Sequence, residues 1–166
     1  DHFDKKFIES IAAKNDSLIV AHDSLLNELK IPKRQMVSIA TDSRINVRDV
    51  GIKAIPAHHP QSFYPLSFLI ELNGNRIFQA GDTDLMEEHE KIKADVALLP
   101  IGGSYTMDLV DAVKAIKCIK PKFAIPMHYN TWAHIKADPQ EFKARIEKSN
   151  LKTKPVILAP GETFKL

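Results

Sequence analysis

Residues 75–131 read NRIFQAGDTDLMEEHEKIKADVALLPIGGSYTMDLVDAVKAIKCIKPKFAIPMHYNT, and the fold turns on how this stretch is parsed. Residues 75–80 form a strand that ends at Gly81-Asp82-Thr83. A short polar helix over 85–93 follows. Residues 95–101 hold a continuous apolar run, the pattern of a strand buried on both faces, and Gly102-Gly103 breaks it. Thr106 is placed to cap a helix over 107–120 whose Leu109, Val110, Val113, Ile116 and Cys118 turn inward. A second buried strand, 123–127, ends at His128. The order is strand, helix, strand, helix, strand. Crossovers of this kind are right-handed and make the strands parallel neighbours, so the spacing predicts an α/β fold with strands layered against helices.

Working upstream, Asn73-Gly74 is a hairpin signal, because both residues tolerate positive φ. It joins a strand over 66–72 to the strand over 75–80. Residues 51–57 form another strand, running into His58-His59-Pro60. Strands are expected over 36–40 and 45–47, separated by a Thr41-Asp42-Ser43 turn. Residues 3–14 have helical spacing at Phe3, Phe7, Ile8, Ile11 and Ala12. A short strand over 17–21 precedes a helix capped by Asp23. Downstream, Asp138-Pro139-Gln140-Glu141 supplies an N-cap, a first-turn proline and an early acid for a helix to about Ser149. A closing hairpin is expected from 156–159 and 162–166 around Pro160-Gly161.

The chain has 166 residues, enough for one domain with a sizeable core. No repeat or linker interrupts it, so residues 1–166 are read as a single domain. Its 23 Lys and Arg balance 21 Asp and Glu to a formal charge of +2. That balance offers no electrostatic case for nucleic-acid or membrane-surface binding. No apolar run approaches the roughly 20 residues of a membrane span. The single cysteine, Cys118, excludes an internal disulfide and fits a reducing, cytoplasmic setting. The chain opens Asp1-His2-Phe3-Asp4, without a Met or a signal-peptide pattern, and we expect a segment upstream of it.

Chemistry collects at strand ends. The strand ending at Ala80 delivers Asp82. The one ending at Ile101 delivers Gly102 to Thr106, and the one ending at Met127 delivers His128 to Thr131. Parallel strands place these ends on one edge, where open α/β sheets build their sites. His58-His59 follows another strand toward that edge. Imidazoles with carboxylates suit Zn²⁺, Mn²⁺ or Fe rather than Mg²⁺ or Ca²⁺. A carboxylate can bridge two such ions, and water on them becomes a nucleophile near neutral pH.

The segments Phe78-Gln79-Ala80-Gly81-Asp82-Thr83-Asp84, Asp95 to Gly103, Tyr105-Thr106-Met107 and Ile125-Pro126-Met127-His128-Tyr129-Asn130-Thr131 together resemble the metallo-β-lactamase superfamily. The likeness is greatest to its uncharacterised metal-dependent hydrolases, related to the L-ascorbate phosphate lactonases. It is strong from about Gly51 to Pro139. The resemblance implies an αββα sandwich, here without its first strands. The superfamily opens its site with H-x-H-x-D-H, and Asp1-His2 looks like the last two letters of that motif, with the first two histidines absent. Carried over residue by residue, Asp1 and His2 resemble ligands of the second metal, Asp82 the bridging carboxylate and His128 the last histidine. His59 resembles the lone histidine of the first site, with His58 as its rival. One or two divalent ions are implied, zinc first, Mn or Fe otherwise.

The activity so implied is hydrolysis of a small molecule by a metal-bound hydroxide attacking an ester, lactone or phosphoester. Asp1 and Asp82 are the catalytic residues, and Asp1 can accept a proton. Tyr105, Thr106 and Tyr129 are the candidate substrate contacts. A non-catalytic metal-binding or oligomeric scaffold and a nuclease of the same fold are the alternatives, and a homo-oligomer is open. His22 reads as a cap neighbour or surface residue. His89, among Glu87, Glu88 and Glu90, reads as a solvated helix face, and His134 as an exposed loop residue. Cys118 reads as core rather than nucleophile. There is no G-x-S-x-G, and Gly102-Gly103 lacks the lysine of a P-loop, so it gives tight backbone approach instead.

Overall fold

The computed structural model describes residues 2–166. Helix α1 (Lys5–Asn15) starts where the Asp4 carboxylate accepts the Phe7 N–H at 3.0 Å, and it ends at Asp16 in a left-handed conformation. Strand β1 (Ile19–Ala21), helix α2 (Asp23–Leu26) and strand β2 (Met36–Ser38) follow. β1 and β2 pair in parallel as a small sheet of their own. The cap of α2 is His22, whose Nδ1 accepts the Ser24 N–H; Asp23, expected to cap, occupies the first turn instead.

Among the described residues the remaining strands make one seven-stranded sheet in chain order: β3 (Arg44–Val47), β4 (Val50–Pro56), β5 (Leu66–Leu72), β6 (Asn75–Gln79), β7 (Val96–Pro100), β8 (Phe123–Met127) and β9 (Lys154–Pro155). The strands expected over 36–40 and 45–47 therefore exist but lie in different sheets. The chain reverses between them at Thr41-Asp42-Ser43, with Asp42 at φ 61°. Pairing is antiparallel from β3 to β6 and parallel from β6 to β9. Asn73 (φ 49°) and Gly74 (φ 76°) both take positive φ between β5 and β6, which matches the two-residue hairpin read from the sequence.

Helices α3 (Leu109–Ile119) and α4 (Pro139–Lys148) provide the crossovers on either side of β8. Phe78, Ala97 and Ala124 stand side by side in register, all fully buried. They share a core with Leu99, Ile116, Ile119, Phe142 and Ile146. On the opposite face Ile52, Ile70 and Ile77 are in register and half-buried.

Four local expectations are corrected. α3 is capped by Asp108, which accepts the Val110 and Asp111 N–H groups at 2.8 and 2.9 Å. Thr106 cannot serve, because the chain turns tightly before the helix, with the Gly103 N–H on the Met107 carbonyl, and buries Thr106. Val110 is exposed rather than inward. The short helix over 85–93 is a 3-10 turn over Glu87–Lys91. The closing hairpin is absent among the described residues. The Pro160-Gly161 turn forms, with the Glu162 N–H on the Ala159 carbonyl. The segment before it, however, pairs with β8: the Val156 N–H donates to Ala124 O at 2.9 Å, so that backbone is already committed.

Candidate metal centre

β4 runs parallel to β6, since β5 is antiparallel to both, and β6, β7 and β8 are mutually parallel. All four therefore end on one edge of the sheet. That topology carries His58-His59, Asp82, Tyr105-Thr106 and His128-Tyr129 to a common rim, and α1 brings His2 there from the N-terminal side. His2 Nε2 lies 3.1 Å from Asp82 Oδ2, His128 Nε2 lies 3.3 Å from the same oxygen, and His59 Nε2 lies 3.9 Å from it. His2, Asp82 and His128 form a group able to share one ion, with each ligand atom within 4.8 Å of the others. The His2 and His128 rings stack at 5.3 Å.

The donor set fits a divalent transition metal. Two ligand atoms about 2.0–2.1 Å from a tetrahedral Zn²⁺ stand roughly 3.3 Å apart, which is the spacing found around Asp82. Asp82 Oδ1 is buried with no hydrogen-bond partner among the described residues, an expensive condition for a carboxylate oxygen. His59 gives a second sign. Its Nδ1 is 3.1 Å from the Tyr105 carbonyl, an acceptor only, so Nδ1 carries the proton. In the neutral ring Nε2 then presents a lone pair toward Asp82 Oδ2. Two acceptors facing one another are reconciled by a cation, and the orienting carbonyl is the partner that metal-ligating histidines use.

His58 does not share this placement. Its side chain is exposed and its Nδ1 meets Asp84 Oδ2 at 2.8 Å. Of the two rivals, His59 is the one that faces Asp82. His128 sits at φ +53°, a left-handed conformation that turns its ring onto the rim. Gly102 makes room for it: a Cβ there would lie 2.4 Å from the His128 carbonyl oxygen and 2.8 Å from Ile135 Cβ. The close backbone approach read at Gly102-Gly103 is thus against the His128 segment.

Asp1 lies outside the described residues. Tyr105 is exposed on the rim, and Tyr129 is half-buried against the core. Thr106 is buried, with its hydroxyl 3.3 Å from the Met107 carbonyl, which places it behind the rim. His22 caps α2 and stacks on Tyr64 with ring centroids 3.6 Å apart. His134 is exposed, and Cys118 half-buried. His89 is a correction. It is 2% exposed, not solvated: its Nδ1 accepts the Met86 N–H at 3.1 Å and its ring meets Phe78 edge-on. Burial holds its pKa below the usual histidine value. The surrounding glutamates suggested solvent, but the 3-10 turn rotates His89 alone toward the sheet. Thr83, fully buried beside Asp82, was not singled out from the sequence; its signal was a hydroxyl inside the Gly81-Asp82-Thr83 turn.

With this geometry in view, residues 4–129 match the model of the beta-lactamase superfamily domain. A UPF0173 metal-dependent hydrolase of Staphylothermus marinus is 48% identical over 126 residues, covering 73% of this chain and 55% of that protein. A UPF0173 metal-dependent hydrolase of Pyrococcus furiosus is 37% identical over 171 residues, covering 96% of this chain and 75% of the relative. Among solved structures, Igni18, a metallo hydrolase of Ignicoccus hospitalis, superposes with a TM-score of 0.84 at 32% identity. The match covers 95% of this chain and 72% of that one.

Proposed function

This chain belongs to the beta-lactamase superfamily and to the UPF0173 metal-dependent hydrolases, and on that premise we propose that it hydrolyses a small-molecule ester, lactone or phosphoester with a divalent metal, zinc first. The observation that carries the reading is the convergence of His2, His59 and His128 on one oxygen of Asp82. Such an ion, when bound, polarises the substrate carbonyl or phosphoryl group and brings the pKa of coordinated water down to about 7.

The chain's own residues supply position. Asp82 and His128 anchor the ion at the ends of β6 and β8, with His2 beside them. His59 approaches from the β4 side with Nε2 presented and Nδ1 held by Tyr105. Asp1, next to His2 in the chain, accepts a proton during turnover. Tyr105 and Tyr129 contact substrate from the β7 and β8 loops, while buried Thr106 supports the Tyr105 segment. The strands β4, β6 and β8 behind His59, Asp82 and His128 keep these three in place before substrate arrives.

The test is metal analysis of the purified protein, followed by Asp82→Ala. Metal content and hydrolysis of ester, lactone and phosphoester substrates are both expected to disappear. A variant that keeps its metal and its activity would refute the assignment.

A further inference from the structure

We propose that Thr83 is the positioning residue of this site, a buried clamp that joins three of the rim loops and so sets where His59 stands. The inference rests on the metal-site reading above and extends it to a residue that touches neither ion nor substrate.

Thr83 is 0% exposed although it follows Asp82 in a loop. Its hydroxyl and its carbonyl are committed to different segments. The hydroxyl oxygen accepts the His58 N–H at 3.0 Å, which ties the loop after β4 to the loop after β6. The hydroxyl proton is directed to the Asp84 carbonyl at 3.0 Å, within its own turn. The Thr83 carbonyl accepts the Met107 N–H at 2.9 Å, which ties on the loop after β7. A second strut runs beside the first, from the Asp84 N–H to the His58 carbonyl at 3.0 Å.

The circuit closes through the metal ligand itself. Tyr105, two residues before Met107, accepts the His59 Nδ1 proton at 3.1 Å. His59 is therefore held at its backbone by the residue before it, bonded to Thr83, and at its ring by a loop bonded to Thr83. Its 3.9 Å separation from Asp82 is set by the Thr83 hydroxyl and carbonyl together with the Asp84–His58 strut. The role needs a hydroxyl in a buried, branched shape. Valine keeps the shape and loses the two hydroxyl hydrogen bonds, leaving the carbonyl bond to Met107 in place; serine keeps the hydroxyl and loses only a methyl group. The exposed His58–Asp84 pair lies outside this clamp and contributes little to it.

The experiment compares Thr83→Val, Thr83→Ser and Asp82→Ala in metal-stripped protein. Zinc affinity is measured by competition with a chromophoric chelator, and the melting temperature of the metal-free form is recorded alongside. Loss of an orienting partner lowers metal affinity roughly 10–100-fold, so Thr83→Val is expected to bind zinc that much more weakly and Thr83→Ser to recover most of it. Wild-type affinity in Thr83→Val overturns the clamp. Equal weakening in both variants, tracking a lower metal-free melting temperature, also overturns it, because that pattern belongs to packing. Should Thr83→Val fail to fold, amide exchange in the metal-free wild type decides: the His58 N–H must be strongly protected, and free exchange there defeats the proposal. Zinc retained in Asp82→Ala is a separate failure, that of the site itself.

Discussion

Asp82 follows the C-terminal end of β6 and Asp95 precedes β7, so the two carboxylates mark opposite edges of one sheet. Both side chains are mostly shielded, at 10% and 17% exposure. Their surroundings differ. Asp95 Oδ2 accepts the Arg76 N–H at 2.8 Å, and Oδ1 meets Lys122 Nζ at 3.1 Å. The Arg76 N–H, then Lys122, hold its carboxyl below the usual carboxylate range. Asp82 has one oxygen ringed by imidazoles and the other without a hydrogen-bond partner among the described residues. A carboxylate that the protein satisfies is a staple. One that the protein shields and leaves short of donors suits the cation ligand proposed for Asp82.

The largest expected contrast comes from removing each charge in turn. Asp82→Asn is expected to abolish hydrolysis while leaving the metal-free melting temperature unchanged or higher, since a poorly satisfied buried charge is gone. Zinc at about a hundredfold its Kd should stabilise the wild type by roughly 2.7 kcal/mol and Asp82→Asn not at all. Asp95→Asn should do the reverse, keeping activity and zinc response while losing about 1–2 kcal/mol in chemical denaturation. Its contribution is present above the unfolded carboxylate pKa and is lost as pH falls through the lower folded value, so the acid limb of the stability profile should flatten in the variant. If Asp82→Asn loses stability and Asp95→Asn loses activity, the comparison is broken.

His89 sharpens it at intermediate size. Burial lowers its folded pKa, so the unfolded chain binds the proton more readily. Stability is complete above the unfolded histidine pKa and declines as pH drops through it toward the folded value. Melting curves from pH 7.5 to 5.5 should show that decline in the wild type. In His89→Asn, whose amide oxygen can still accept the Met86 N–H, the decline should shrink. The smallest effect belongs to Lys122→Met. Its side chain is 72% exposed, so removing the charge should change stability by less than about 1 kcal/mol, leaving the Arg76 N–H to hold Asp95.

The strand order on both sides of Asn73-Gly74 was legible because period-two runs and a positive-φ turn are local facts. The helix over 139–148 was legible for the same reason, from Asp138 and Pro139. The closing hairpin was not: whether the residues after Pro155 pair with one another or with β8 depends on a partner far away in sequence. His89 was misplaced because one turn of 3-10 geometry rotates a single residue out of a charged segment. The choice between His58 and His59 also lay beyond local reading, for adjacent residues on a loop face opposite ways only once Tyr105 and Asp84 are in place.

The sequence by itself determined most of the element types, the parallel core and the fact that carboxylate and imidazole groups follow strand ends, since each rests on periodicity and turn chemistry within a few residues. Only the tertiary structure decided that β4 ends on the edge shared by β6, β7 and β8, that His2 reaches it from across the fold, and that Asp82 rather than Asp95 has an oxygen without a hydrogen-bond partner among the described residues. Those outcomes depend on distances between residues dozens of positions apart. Such distances exist only once the sheet has closed over its core.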